Sequence, residues 1–181
     1  MQEKIFSILG RHGLMTLATN RPDGWPQATS VSYVHRGLFI YFLISRSSQK
    51  FANLSADDRV SICIATGSPT PLQFEGLSMS ARAVEPRDEP YRSDILQQMR
   101  THHPGYFDTP ATDMTRSAIF RALPEVITIV DFSKGLGHSD VVTVNADQSL
   151  ELAPARANNW GPDPAIARDM ASEPSDALRA D

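Results

Sequence analysis

Between Leu14 and Ile44 the chain reads as three extended segments joined by connections too short for anything but reversals. Leu14-Met15-Thr16-Leu17-Ala18-Thr19 is a strand, and Arg21-Pro22-Asp23-Gly24 supplies proline and Asp-Gly where a hairpin turns. From Gln27 to Val34, Ala28, Ser30 and Ser32 alternate against Thr29, Val31 and Tyr33, the period of two that sends successive side chains to opposite faces. His35-Arg36-Gly37 makes a second tight reversal, and Leu38–Ile44 is a third strand, apolar on both faces and so covered on both. Consecutive hairpin-linked strands with apolar faces must close on each other or on a partner.

Periodicity and punctuation place the other elements. Ile5, Ile8 and Leu9 recur at helical spacing, so residues 2–11 read as a short amphipathic helix closed by Gly10 or Gly13. A helix over Ser48–Ser55 follows the third strand, and Arg59–Ala65 is a fourth strand leaving through Thr66–Pro71. Residues 72–85 read as a long fifth strand in which Gly76 marks a bulge or a close approach. Asp88–Arg100 carries Ile95, Leu96 and Met99 and reads as a helix, and a further helix is expected at 113–122 beyond a loop. Glu125–Phe132 is a sixth strand, Ser133–His138 a glycine-rich corner, and Asp140–Val144 a seventh strand. The fold class is mainly β, an antiparallel barrel of six to seven strands with peripheral helices. That domain spans 1–145. Residues 146–181 carry Pro154, Pro162, Pro164 and Pro174 around one large anchor, Trp160, and read as a partly disordered C-terminal extension.

Length and charge narrow the function classes. The 181 residues suit one domain with a sizeable core, and a net charge of −4 without any basic block argues against a nucleic-acid surface. The opening MQEKIFSILGRHG mixes both charge signs without a long apolar core, so no secretory signal is expected, and Leu38–Ile44 is too short to span a bilayer. A cytoplasmic protein is the expectation. The single cysteine, Cys63, excludes an intramolecular disulfide and is expected to be a small buried hydrophobe.

Candidate chemistry concentrates at Ser45-Arg46-Ser47-Ser48-Gln49-Lys50, where a strand end feeds a helix start. Free backbone N–H groups, hydroxyls and a lysine ammonium there suit a phosphate; the alternative is a solvated turn capped by Ser47 or Ser48. His102 and His103 point to different sides without a third ligand nearby, so no metal site is expected. No residue can be named as nucleophile, acid or base, and any chemistry falls to a cofactor.

In order, the motifs Leu17-Ala18-Thr19, Asp23-Gly24-Trp25-Pro26, Thr29-Ser30-Val31, Ile40-Tyr41-Phe42, Ser48-Gln49-Lys50 and Asn53-Leu54 resemble the pyridoxamine 5'-phosphate oxidase-like flavin-binding split barrels. The resemblance covers roughly residues 5–140 and implies a homodimer with FMN in two clefts at its interface. It implies that Ser48, Gln49 and Lys50 hold the 5'-phosphate, with the charge-assisted lysine contact strongest. It also implies that Thr29, Ser30, Val31 and Ser32 run beside the ring and ribityl chain, and that Leu43 and Ile44 offer main-chain groups. Glu75 falls where pyridoxamine oxidases carry a glutamine near the flavin, and the Ser133–His138 corner would touch the partner chain.

The departures argue against vitamin B6 oxidation. The second strand lacks the family's phosphate-gripping arginine, Ser133 sits near an expected tryptophan, and the tail has no tryptophan-arginine-leucine segment. The resulting expectation is an FMN-binding homodimer acting as a flavin-dependent oxidoreductase on an unknown small molecule. The alternatives are a non-catalytic flavin-binding or sensing module, or the same fold carrying F420 or haem, the last on His102 or His138.

Overall fold

Alternation of buried and exposed side chains closes the sheet. The structure, a computed structural model, describes residues 1–65, 70, 73–87, 90–107 and 114–153, without the side chains of Tyr106 and Met114. Helix α1 (Gln2–Arg11) precedes strands β1 (Leu14–Asn20), β2 (Pro26–Arg36) and β3 (Phe39–Ser45). Helix α2 (Gln49–Ala56), β4 (Arg59–Ala65) and β5 (Glu75–Val84) come next, then α3 (Arg92–His102) and the single turn α4 (Pro104–Phe107). Strands β6 (Ser117–Asp131), β7 (Ser139–Val144) and β8 (Leu150–Leu152) complete the described chain.

All pairings are antiparallel, in the order β3-β2-β1-β4-β5-β6-β7-β8, and an additional β3–β6 pairing closes the first six strands into a barrel. Its interior takes every second residue: Val60, Ile62 and Ile64 from β4 meet Met15 and Leu17 from β1 and Leu77 and Met79 from β5, each no more than 5% exposed. Helix α1 caps one end with Ile5, Ile8 and Leu9, and the buried Tyr33 hydroxyl donates to the Leu9 carbonyl at 2.9 Å. Outside the barrel, Ile95 and Met99 of α3 pack on Val34, Tyr41 and Ile119. That second cluster is why β3 is apolar on both faces.

Several expectations change. Cys63 is exposed, not buried, because the inward places on β4 belong to Val60, Ile62 and Ile64. The expected helix at 113–122 is instead a 3₁₀ turn at Met114–Arg116 running into β6, a strand of 15 residues. Buried on both sides, residues 118–122 show no period of two, and Pro124 reads as a breaker. The structure accommodates Pro124 beside a register shift at Ser80/Ala81, where an irregular ladder tolerates a missing N–H. The β8 strand also extends the sheet into the segment read as an extension. Gly76 is a close approach, since a Cβ there would lie 3.0 Å from the Ile64 carbonyl oxygen. The Thr66–Pro71 connection apart from Thr70, the helix start at Asp88 and the segment after Ala153 lie outside the described residues. No helix among the described residues is long and apolar enough to cross a membrane.

Charge ties α1 to the strand ends. Lys4 pairs with Glu75 and, at 3.1 Å, with Asp131, while Arg11 reaches Glu75 at 2.6 Å. Hydrogen bonds from Ser133, then Lys4, hold the Asp131 carboxyl down at about 2, and Lys4 and Arg11 hold Glu75 below its ordinary range. Both carboxyls are depressed in the folded state, so their contribution to stability is complete above the unfolded value of roughly 4. It is lost as pH falls from there toward the folded values.

Two outcomes are expected. In denaturant titrations, Ile62→Ala lowers stability by about 2–5 kcal/mol, whereas Cys63→Ser changes it by less than about 0.5 kcal/mol. Lys4→Met shows a smaller loss of stability between about pH 4 and pH 2 than the parent chain, and equal slopes would refute the α1 clasp.

Candidate functional site

The barrel is incomplete on one side. β2 pairs with β1 along Pro26–Ser32 but with β3 only along Tyr33–Arg36, while β3 from Leu43 to Ser45 pairs with β6 alone. The two strands therefore diverge, and the edge of β2 over Gln27–Ser32 faces no other strand. Helix α2 lies across this split. Its Leu54 enters the barrel core and its Phe51 packs edge-on against Phe120, with centroids 6.0 Å apart.

A buried polar network anchors that helix. Asn53, fully buried, donates to the Thr19 hydroxyl at 2.9 Å and to the Gln27 side-chain oxygen at 3.1 Å, and accepts from the Gln49 amide at 2.9 Å. One side chain thus joins α2, β1 and β2, and a satisfied network of this kind fixes one arrangement of the three. Its sequence signal was Asn53 standing beside Leu54 on the inward face of a short helix.

At the corner before α2, Ser48 is the N-cap. Its hydroxyl accepts from the Phe51 N–H at 3.2 Å and donates to the Ser45 carbonyl at 2.7 Å, so its only proton is committed. Gln49 turns back toward Asn53. The backbone N–H groups of Gln49 and Lys50 are the first two of α2 and have no acceptor among the described residues. The Lys50 ammonium, half-buried, likewise has no ion-pair or hydrogen-bond partner among them. Arg46 is different: its guanidinium forks onto Glu85. The Ser45 and Ser47 hydroxyls lie 2.9 Å apart on the exposed side of the corner.

The second strand contributes two hydroxyls that want partners. Thr29 Oγ1 and Ser32 Oγ are buried and make no hydrogen bond. The two lie on opposite faces of β2, and Thr29 is the one on the side of Gln27 and α2, so it is the hydroxyl offered toward the split. Ser30 is exposed, and Val31 turns into the core. The Leu43 and Ile44 side chains face α3 and the barrel interior respectively, which leaves only their main chain for a ligand.

Nine of the ten residues named from sequence thus gather on three neighbouring elements around the split. Glu75 does not. It pairs with Asp131 at one end of β6 while Ser45 pairs with Ser117 at the other, roughly 45 Å of strand away at about 3.3 Å per residue. Its carboxylate is spent on Lys4 and Arg11. Of the histidines, His102 places Nδ1 against the Gln98 carbonyl oxygen at 2.9 Å, and His138 sits 3.4 Å from Asp140. Among the described residues no group of three or more His, Cys, Asp or Glu side chains is arranged to hold a metal ion.

Comparison with known proteins supplies the family. The sequence profile of pyridoxamine 5'-phosphate oxidase matches residues 1–130. No curated protein matches the chain. Among solved structures, a haem-binding protein from Mycobacterium smegmatis superposes with a TM-score of 0.63 at 22% identity, covering 78% of this chain and 57% of its own. This chain therefore spans little more than half of that relative. An FAD-binding protein from Mesorhizobium loti gives a TM-score of 0.58 at 18% identity, covering 70% of this chain and 91% of its own. An F420 reductase gives 0.54 at 22% identity, covering 67% and 93%. These likenesses show a shared fold across proteins named for three different cofactors. On its sequence match and its closed six-stranded barrel, the chain belongs to the pyridoxamine 5'-phosphate oxidase family.

Proposed function

We propose that the chain is an FMN-binding homodimer that acts as a flavin-dependent oxidoreductase. The observation that carries this reading is the half-buried Lys50 ammonium without a partner among the described residues, set beside unpaired α2 N–H groups at the open edge of β2. A phosphate monoester satisfies all of these at once. Lys50 and the Gln49 and Lys50 N–H groups take the phosphate, with the Ser45 and Ser47 hydroxyls beside them. Thr29, on the α2 side of β2, is the donor left for the polyol chain. When bound, FMN supplies hydride exchange at its ring; the chain's own part is to orient it and shield one face. Glu75 stays outside this set.

The partner surface has a physical candidate. The outer faces of β1, β4 and β5 bring Thr16, Cys63 and Ser78 into one cross-strand row and Ala18, Ser61 and Ser80 into the next. Small side chains on an open sheet face let a second copy approach closely.

Purified protein is denatured and the released chromophore identified by absorbance and mass. A colourless protein that takes up no added FMN overturns the reading. Lys50→Gln should weaken FMN binding by roughly 10- to 100-fold, and riboflavin, lacking the phosphate, should bind the parent chain about as weakly. Turnover with a nicotinamide donor and a quinone separates the oxidoreductase from a non-catalytic flavin binder. For the dimer, Cys63 should react slowly with a thiol reagent at high protein concentration and quickly on dilution. Ser61→Arg should yield a monomer by sedimentation.

A further inference from the structure

At the end of β3 remote from the α2 corner lies a cavity of about 330 Å³, with Arg36, Phe39, Tyr41, Tyr91, Arg121 and Gln148 in its wall. Its volume lies within the range of small-molecule sites. Two guanidinium groups are stacked on rings there: Arg36 sits 3.6 Å from the Tyr91 centroid and Arg121 5.0 Å from that of Phe39. Stacking occupies one face of the Arg36 guanidinium and leaves its N–H fork in the plane, where a carboxylate can meet it edge-on. The Arg36 fork is not consumed by Asp94, which at 3.8 Å is too distant for a hydrogen bond. Gln148, on the turn between β7 and β8, is held at a φ of 65°. Non-glycine residues rarely adopt that conformation, and it sets the amide beside Gly37 on the cavity rim.

We propose that this cavity is a second ligand site, separate from the cleft at the split, and that it takes a planar aromatic carboxylate. The carboxylate lies on the Arg36 fork and the ring lies along the wall formed by Phe39 and Tyr91. An aliphatic anion leaves the aromatic wall unfilled, and a neutral aromatic leaves the fork unused; the two features together select the class.

Calorimetric titration with 2-naphthoate tests the site. The expected result is saturable one-to-one binding, weakened roughly tenfold or more when cyclohexanecarboxylate or 2-naphthalenemethanol replaces it. Arg36→Gln and Tyr91→Ala each weaken naphthoate to a similar degree. Both side chains are exposed, so unchanged thermal melting is expected and checks that the variants are folded. Lys50→Gln, in the other cleft, leaves naphthoate binding unchanged. Absence of saturable binding, or affinity indifferent to Arg36→Gln, overturns the proposal. So does affinity that falls with Lys50→Gln, since the ligand then occupies the cleft at the split.

Discussion

The pairing of β3 with β6 is the contact on which the rest of the molecule depends. Without it, the chain is a meander with one apolar face exposed and two open edges. With it, six strands close and a single interior forms. Because β3 is drawn toward β6, it parts from β2 beyond Tyr33, and the gap between them becomes the cleft. Closure and opening are one event in this fold. Helix α2 then has a defined place, since only a helix directly after β3 can lie across the gap that β3 leaves.

The cleft divides its polar groups between holding the scaffold and waiting for a ligand. Asn53, Gln49 and the Ser48 hydroxyl belong to the scaffold: their hydrogen bonds end on protein atoms. Lys50, the first N–H groups of α2 and the orphan Thr29 hydroxyl on β2 do not. This division explains how a corner can be rigid and still unsatisfied, the condition under which a binding site is formed before its ligand arrives. Arg46 carries as much charge as Lys50, yet Glu85 neutralises it locally.

Much of this was legible in the sequence for local reasons. Strands β1 and β4 alternate cleanly and β2 does so as far as Tyr33. Asp-Gly and Gly37 lie in the turns after β1 and β2, so their existence and order come from side-chain period and turn chemistry. His35 and Arg36, read as part of the second reversal, instead end β2, paired with Ile40 and Phe39. The same alternation on β4 sends Cys63 outward; weighing the residue type above its place in the pattern misplaced it. β6 was harder. Its first half is covered by α3 outside and the barrel inside, so Ala118 to Ala122 carries no period, and Pro124 interrupts it without ending it. For the site, local grammar disclosed the corner, because a strand end, serines and a lysine are adjacent in the chain. The fate of Glu75 was not disclosed, because its partners Lys4 and Arg11 lie on a helix some seventy positions earlier and pairing at that range leaves no local mark.

The length of β6 has a consequence for how such a chain can vary. Residues 117–122 pair with β3 and residues 126–130 with β7 along one edge of β6, while β5 takes the other edge from 121 to 131. Strand β7 therefore continues the wall that β3 begins, and its fully buried Val142, with Val144 and Leu150 packed beside it, completes the core at that end. The family match ends at Val130, before the strand that covers this end of the core. A chain that lost β7 would uncover the core beside Ile127 and leave half of one β6 edge unpaired, so variation beyond β6 is bound by what it must still cover.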